Sequence, residues 1–133
     1  MSPENVEIVR RYFPAYEQGG LDAWAEFWHP DISWRAAEGG LDDVGVFHGH
    51  DAMRRYYRQW EETFDGVEVE LEEVIVAGDK VVAAVRGLGR MKGSDSKVDI
   101  HYAIVLSFRD GKISKGREYF SREEALEAAG LRE

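Results

Sequence analysis

Two hydrophobic periods divide this chain. Up to about residue 64 the apolar positions recur three and four apart, the spacing of one helix face; beyond it they alternate, the spacing of a strand. In "SPENVEIVRRYFPAYEQGG" Val6, Val9, Phe13 and Tyr16 keep helical spacing, with Ile8 and Tyr12 beside them. Ser2 is a candidate N-cap, with Pro3 at the first helical position, where its missing N–H costs nothing. Gly19 and Gly20 are expected to end this helix. Pro14 deletes one backbone hydrogen bond and should bend it. "LDAWAEFW" predicts a second short helix carrying Leu21, Trp24, Phe27 and Trp28 and stopping before Pro30. "DISWRAA" reads as a brief strand and "EGGLDDVGVFHGH" as a glycine-rich, acidic loop. From Asp51, "AMRRYYRQWEETF" sets Met53, Tyr56, Tyr57, Trp60 and Phe64 on a wide helical stripe that Asp65-Gly66 closes.

The second half changes period. "VEVELEEVIV" alternates Val67, Val69 and Leu71 against Glu68, Glu70 and Glu72, a strand with one wet face. "GDK" turns the chain into "VVAAVRGLGRM", "KGSDSK" into "VDIHYAIVLSF", and "RDGK" into "ISKGREYF". "SREEALEAAGL" then predicts a short helix begun at Ser121. Strands in sequence, separated only by turns, predict an antiparallel meander. Helices first and strands later predict an α+β fold with the helices packed on one face of the sheet.

Composition narrows what such a fold does. The 133 residues predict one domain, and an apolar share of 44%, with 4 Trp, 6 Tyr and 6 Phe, is enough for a real core. No apolar run approaches the roughly 20 residues of a membrane span. "MSPENVEIVRR" lacks a secretory signal pattern, which favours the cytoplasm. With no cysteine, disulfide, thiol and thiolate–zinc chemistry are excluded. The formal net charge of −9 repels phosphate backbones, so neither nucleic acid nor a membrane is the expected partner. "RRYYR" at 54–58 reads as a helix with basic and aromatic sides.

The order helix, helix, strand, helix and four long strands resembles the nuclear transport factor 2-like superfamily, in its SnoaL-like and ketosteroid-isomerase-like branch. The residues carrying the likeness are "VRRYFPAYEQGGLDAWAEFWHPDISW", "FHGHDAMRRYYRQW" and "FRDGKISKGREYFSREEALEAAGL", and they span nearly the whole chain. The resemblance implies a cone: a strongly curved, mainly antiparallel sheet (a cystatin-like α+β barrel) wrapped around N-terminal helices. It implies a small hydrophobic ligand inside, no cofactor, and a homodimer through the outer sheet face. The branch hosts isomerases, cyclases, dehydratases, epoxide hydrolases and non-catalytic binders, so fold alone does not choose the chemistry.

Parity assigns faces within that cone. On "VDIHYAIVLSF" the more apolar set, Ile100, Tyr102, Ile104 and Leu106, goes inside, and Asp99, His101, Ala103, Val105 and Ser107 go outside. Trp34 and Ala36 would point in and Arg35 out. The resemblance places Glu118 and Phe120 inward. Tyr12 and Tyr16, one helical turn apart, are both expected at the cavity, with Trp60 in its wall.

Glu118 is the acid–base candidate, because limonene-epoxide-hydrolase-like members carry a catalytic aspartate at the matching position. A carboxylate in a dry site is costly when charged, which raises its pKa toward the range a general base needs. The competing reading is a glutamate paired to Arg117 or Arg35. Tyr12 matches the tyrosine with which ketosteroid isomerases polarise an oxygen; otherwise it is an amphipathic helix residue with a wet tip. Ala36 and Ile104 stand where those isomerases have aspartates, and Glu38, two residues past Ala36, is the nearest acid a loop shift would bring in. Val85 and Gly87 stand where the epoxide hydrolases have an arginine and an aspartate, with Arg86 between them on the wrong face. His29, His48, His50 and Asp51 invite a metal reading, but a metal needs three or four converging ligands, so a solvated loop and no metal are expected. "GLGRMKG" precedes no helix and is not a phosphate loop. The expectation is a small-molecule pocket protein that, if catalytic, moves a proton on a hydrophobic carbonyl compound through Glu118 and Tyr12. Tyr16, Trp34, Glu38, Trp60, Tyr102, Ile104 and Phe120 would line the site. The alternative is a non-catalytic binding or homodimeric assembly module.

Overall fold

The computed structural model describes residues 2–39 and 45–131. Among these residues three helices, α1 (Ser2–Ala25), α2 (Gly49–Thr63) and α3 (Arg122–Ala128), accompany six strands. The strands are β1 (Trp28–Arg35), β2 (Val46–His48), β3 (Phe64–Ala77), β4 (Lys80–Met91), β5 (Lys97–Arg109) and β6 (Lys112–Tyr119). The two stretches expected as separate N-terminal helices run on as one element with a break at Gly20, whose φ of 67° and ψ of −154° only glycine adopts without strain. Pro14 sits within this helix. The Ser2 side chain, expected as its cap, lies outside the described residues, as does the 40–44 part of the expected loop.

The single sheet has the order β2-β1-β6-β5-β4-β3. The expected meander is there: β3, β4, β5 and β6 pair antiparallel in succession. β1 then lies parallel to β6 and antiparallel to β2. β2 and β3 do not pair, so the sheet stays open, and bulged registers in β3 and at the β5–β6 pairing bend it around the helices. α1 packs on β3 and β4, and α2 on β1, β2 and β3. The β5–β6 turn places Asp110 and Gly111 at φ 56° and 76°, the left-handed pair that a tight hairpin needs.

Two sequence expectations change. Trp28, assigned to a helix, begins β1, and the strand runs through Pro30. Pro30 is tolerated because the β1–β6 register breaks between Trp28 and Ser33, where no ladder N–H is demanded of it. The loop after β1 contains a short strand, β2, paired to Ser33–Arg35.

Alternation sorts the core into two clusters. The inner face gives Val81, Ala83, Val85, Ile104, Leu106 and Ile113 to the main cluster, with Val9, Tyr12, Phe13, Trp24, Trp28, Trp34, Met53 and Tyr57. The outer face gives Val82, Ala103 and Val105 to a smaller cluster roofed by Ala125 and Leu126 of α3. Ser121 caps α3: its Oγ accepts from the Glu124 backbone N–H at 3.1 Å and donates to the Glu124 carboxylate at 3.2 Å. Part of the face expected to carry a homodimer is therefore covered by the chain's own last helix. No helix of the described residues is long and apolar enough to cross a membrane.

Candidate active site

Strand parity turns Glu118 inward. It pairs directly with Ile104 across the β5–β6 ladder, and Ile104 belongs to the inner face. Its side chain is 7% exposed. Trp34 donates its indole N–H to Glu118 Oε2 at 2.8 Å. A bond of this charge-assisted kind contributes about 1.5–3 kcal/mol. Desolvating a carboxylate costs several kcal/mol, and the indole bond offsets part of that penalty. Arg117 and Arg35, the expected competitors, both reach Glu38, at 3.3 and 3.5 Å.

The seat for Trp34 is Gly116. The parallel β1–β6 register sets Trp34 opposite Gly116, and the indole lies on the glycine's face. A Cβ on Gly116 would stand 2.2 Å from Trp34 Cζ3 and 2.4 Å from Cε3.

Tyr12 is 1% exposed. Its hydroxyl oxygen accepts the Trp28 indole N–H at 3.0 Å, and its backbone carbonyl accepts that of Trp24 at 2.8 Å. Three indoles of the described residues therefore donate to the two residues Tyr12 and Glu118. Burial raises the Tyr12 pKa well above its ordinary value; the Trp28 bond opposes this, and the Glu118 charge adds to it. Tyr57 of α2 is raised chiefly by burial, then by Tyr12 and Glu118. Both phenols stay protonated at neutral pH, as hydrogen-bond donors near a buried carboxylate.

Of the other expected lining residues, Ile104 and Trp34 are fully inside. Tyr102 is half-buried and packs on the main cluster. Trp60 is half-buried, edge-on to Tyr57 and Phe64. Three expectations need correction. The Tyr16 hydroxyl donates to Glu61 Oε2 at 2.6 Å, tying α1 to α2 at the exposed end of that seam. Phe120 lies past the end of β6, where parity no longer holds, and is 56% exposed. Glu38 is drawn by Arg35 and Arg117 and keeps its side chain 61% exposed. Trp28, Tyr57 and Gly116 were not singled out from the sequence. Only Gly116 carried a signal, an isolated glycine inside a strand pattern, which marks a close approach.

The histidines go to different partners. His29 is buried, accepts at Nδ1 from the Asp31 N–H at 3.0 Å, and lies against Arg109. His50 Nε2 sits 3.1 Å from the Trp28 carbonyl oxygen. His48 is exposed at the end of β2, and His101 pairs with Glu72 at 2.9 Å on the outer face. Of three surface depressions, one lies between α1 and β3, one beside His101 and Phe120, and one on α2; none includes Tyr12, Trp34 or Glu118.

The fold recurs in known proteins. An uncharacterized protein of Mycobacterium tuberculosis is 28% identical over 125 residues, covering 93% of this chain and 94% of its own. A hypothetical protein of Catenulispora acidiphila with a ketosteroid isomerase-like fold, solved with trimethylamine, superposes with a TM-score of 0.73 at 21% identity, covering 95% of this chain and 94% of that one. A candidate SnoaL-like polyketide cyclase from Mesorhizobium loti gives a TM-score of 0.68 at 25% identity, with 86% and 97% covered. The pattern of the SnoaL-like domain matches residues 9–116, and with that match over most of its length the chain belongs to the SnoaL-like domain family.

Proposed function

We propose that this SnoaL-like protein binds a hydrophobic, carbonyl-bearing small molecule inside its cone and moves a proton on it. The reading is carried by one observation: a carboxylate, Glu118, is buried among aromatic rings, held by the Trp34 indole, in the field of the protonated phenols Tyr12 and Tyr57. Glu118 takes a proton from the carbon next to the carbonyl. The C–H electron pair moves into the carbonyl, and the resulting enolate oxygen accepts a hydrogen bond from the Tyr12 hydroxyl, a bond worth most where water is excluded. The protonated Glu118 then returns its proton to a second carbon of the same system. Atoms and charge balance without a redox partner, and one acid suffices. Activation of a water would need a second group to orient it. Among the described residues, the buried charged side chains are Glu118 and His29, and His29 is engaged with Asp31 and Arg109.

Exchange at carbon tests this. Small cyclic ketones and enones incubated in D2O should lose their α-protons faster with the protein, and Glu118→Gln should cut the acceleration by about 10²-fold or more. Absence of acceleration across the set overturns the proton-transfer reading.

A second reading, a binder without chemistry, is favoured by Ala36 and Ile104, buried apolar residues where the resemblance puts isomerase aspartates, and by Arg86, which points outward to Asp99. It predicts ligand binding with no exchange. We place the protein in the cytoplasm, as a homodimer joined through the part of the outer face that α3 leaves uncovered; sedimentation velocity at micromolar concentration tests the dimer.

A further inference from the structure

We infer that Trp34 is the positioning residue of the site, seated by Gly116 to hold the Glu118 carboxylate ionised and aimed into the cone. The inference rests on the reading of Glu118 as the proton-transferring group. Its observations are independent of any ligand.

Trp34 and Gly116 face each other in the parallel β1–β6 ladder, and Glu118 is the next residue of β6 on the same face. A side chain at 116 would occupy the space of the indole six-membered ring, with contacts at 2.2, 2.4 and 2.7 Å. Glycine there leaves room for the ring against the strand. From that seat the N–H is directed along β6 to Glu118 Oε2 at 2.8 Å. Other residues of the strand would push the ring off and turn the donor away.

The other groups facing the carboxylate come from packed elements: Tyr12 from α1, Tyr57 from α2, and Ile104 from β5. Tyr12 and Tyr57 are neutral and give no counter-charge. A donor to the charged form of an acid favours that form, whereas burial disfavours it. Trp34 thus works against the burial that surrounds Glu118, and it also limits the rotamers the carboxylate can take. A base must be ionised and correctly aimed before it meets a substrate proton, and the Trp34 indole serves both conditions.

The role is read by NMR on the full-length protein without ligand. In the wild type the Trp34 indole ¹H–¹⁵N resonance should move with pH along the same curve as the Glu118 side-chain carboxyl carbon, and in Glu118→Gln it should stop moving. Trp34→Phe keeps an aromatic side chain opposite Gly116 and removes the donor with part of the ring, so the Glu118 titration midpoint should shift upward while the melting curve keeps its cooperativity. Gly116→Ala should shift the midpoint in the same direction by displacing the ring. A Trp34 resonance flat across the Glu118 titration overturns the inference, as does a Glu118 midpoint in Trp34→Phe that coincides with the wild type. Should Trp34→Phe fail to fold, the wild-type and Glu118→Gln indole spectra decide alone. A moving indole resonance with no α-proton exchange would defeat the proton-transfer reading and leave the positioning role of Trp34 standing.

Discussion

The two faces of one sheet treat the same functional group in opposite ways. Glu118 on the inner face is buried and held by an indole; Glu73, on the outer side, is held by the Arg122 guanidinium at 2.9 Å in water. The hydrogen bond from Arg122 keeps the Glu73 carboxyl below its ordinary range. Arg86 forms a two-point bond to Asp99 at 2.8 and 2.6 Å and also lies near Glu70, while His101 pairs with Glu72. Outside, charge is answered by opposite charge and screened by solvent; inside, a carboxylate accepts a neutral indole N–H and lies in the field of protonated phenols. The proposed proton transfer rests on the second arrangement, because a fully paired, hydrated carboxylate has little reason to change its protonation state near neutral pH.

The contrast can be broken at graded strength. Leu106→Ala, which opens the inner cluster, should cost about 2–5 kcal/mol in urea unfolding, with Leu126→Ala under α3 toward the lower end of that range. Equal losses would mean that the outer cluster matters as much as the inner. Tyr12→Phe should cost about 1–3 kcal/mol, because it strands the Trp28 indole N–H without its acceptor. A neutral result would show that the N–H finds another partner.

The alkaline limb comes next. Tyr12 and Tyr57 have folded pKa values raised above the ordinary 10.0. Their contribution is therefore complete below pH 10 and lost as pH rises through the folded values. Tyrosinate absorbance near 295 nm should show these two phenols ionising together with alkaline unfolding. Early, reversible ionisation of all the tyrosines would contradict their burial.

The smallest effect belongs to the outer face. Asp99 and Glu73 are lowered from 3.8 and 4.5, chiefly by hydrogen bonds from Arg86 and Arg122. Their help is present above those unfolded values and fades as pH falls through the lowered ones. Both are exposed, so Arg86→Ala should move the melting temperature less than any interior change, and salt should erase the difference.

Much of this division was legible in the sequence. The alternation over residues 98–108 separated Tyr102, Ile104 and Leu106 from Ala103 and Val105, and the structure puts them in the two clusters, whereas Ile100, expected with the first set, is 41% exposed. Turn signals at Gly78-Asp79 and Asp110-Gly111 fixed the meander. What failed was local pattern at element ends: Trp28 keeps helical spacing with Trp24, yet it enters β1, where β6 offers a pairing partner. Phe120 shares parity with Glu118, but the strand stops at Tyr119. Contacts between distant residues left no local trace. Trp34 and Glu118 are 84 residues apart, and nothing near either names the other. The acid and the inward-facing Trp34 could each be picked out, whereas the bond between them could not.

The central claim is an interior that takes a small hydrophobic molecule beside Glu118. Native mass spectrometry of the protein purified from its own host tests it most directly, alongside an Ile104→Trp variant that enlarges the side chain paired with Glu118 across β5 and β6. The account predicts a retained small-molecule mass on the wild type that dissociates under mild activation and is missing from the variant. A wild-type spectrum showing bare protein only, unchanged after exposure to hydrophobic ketones, would contradict it.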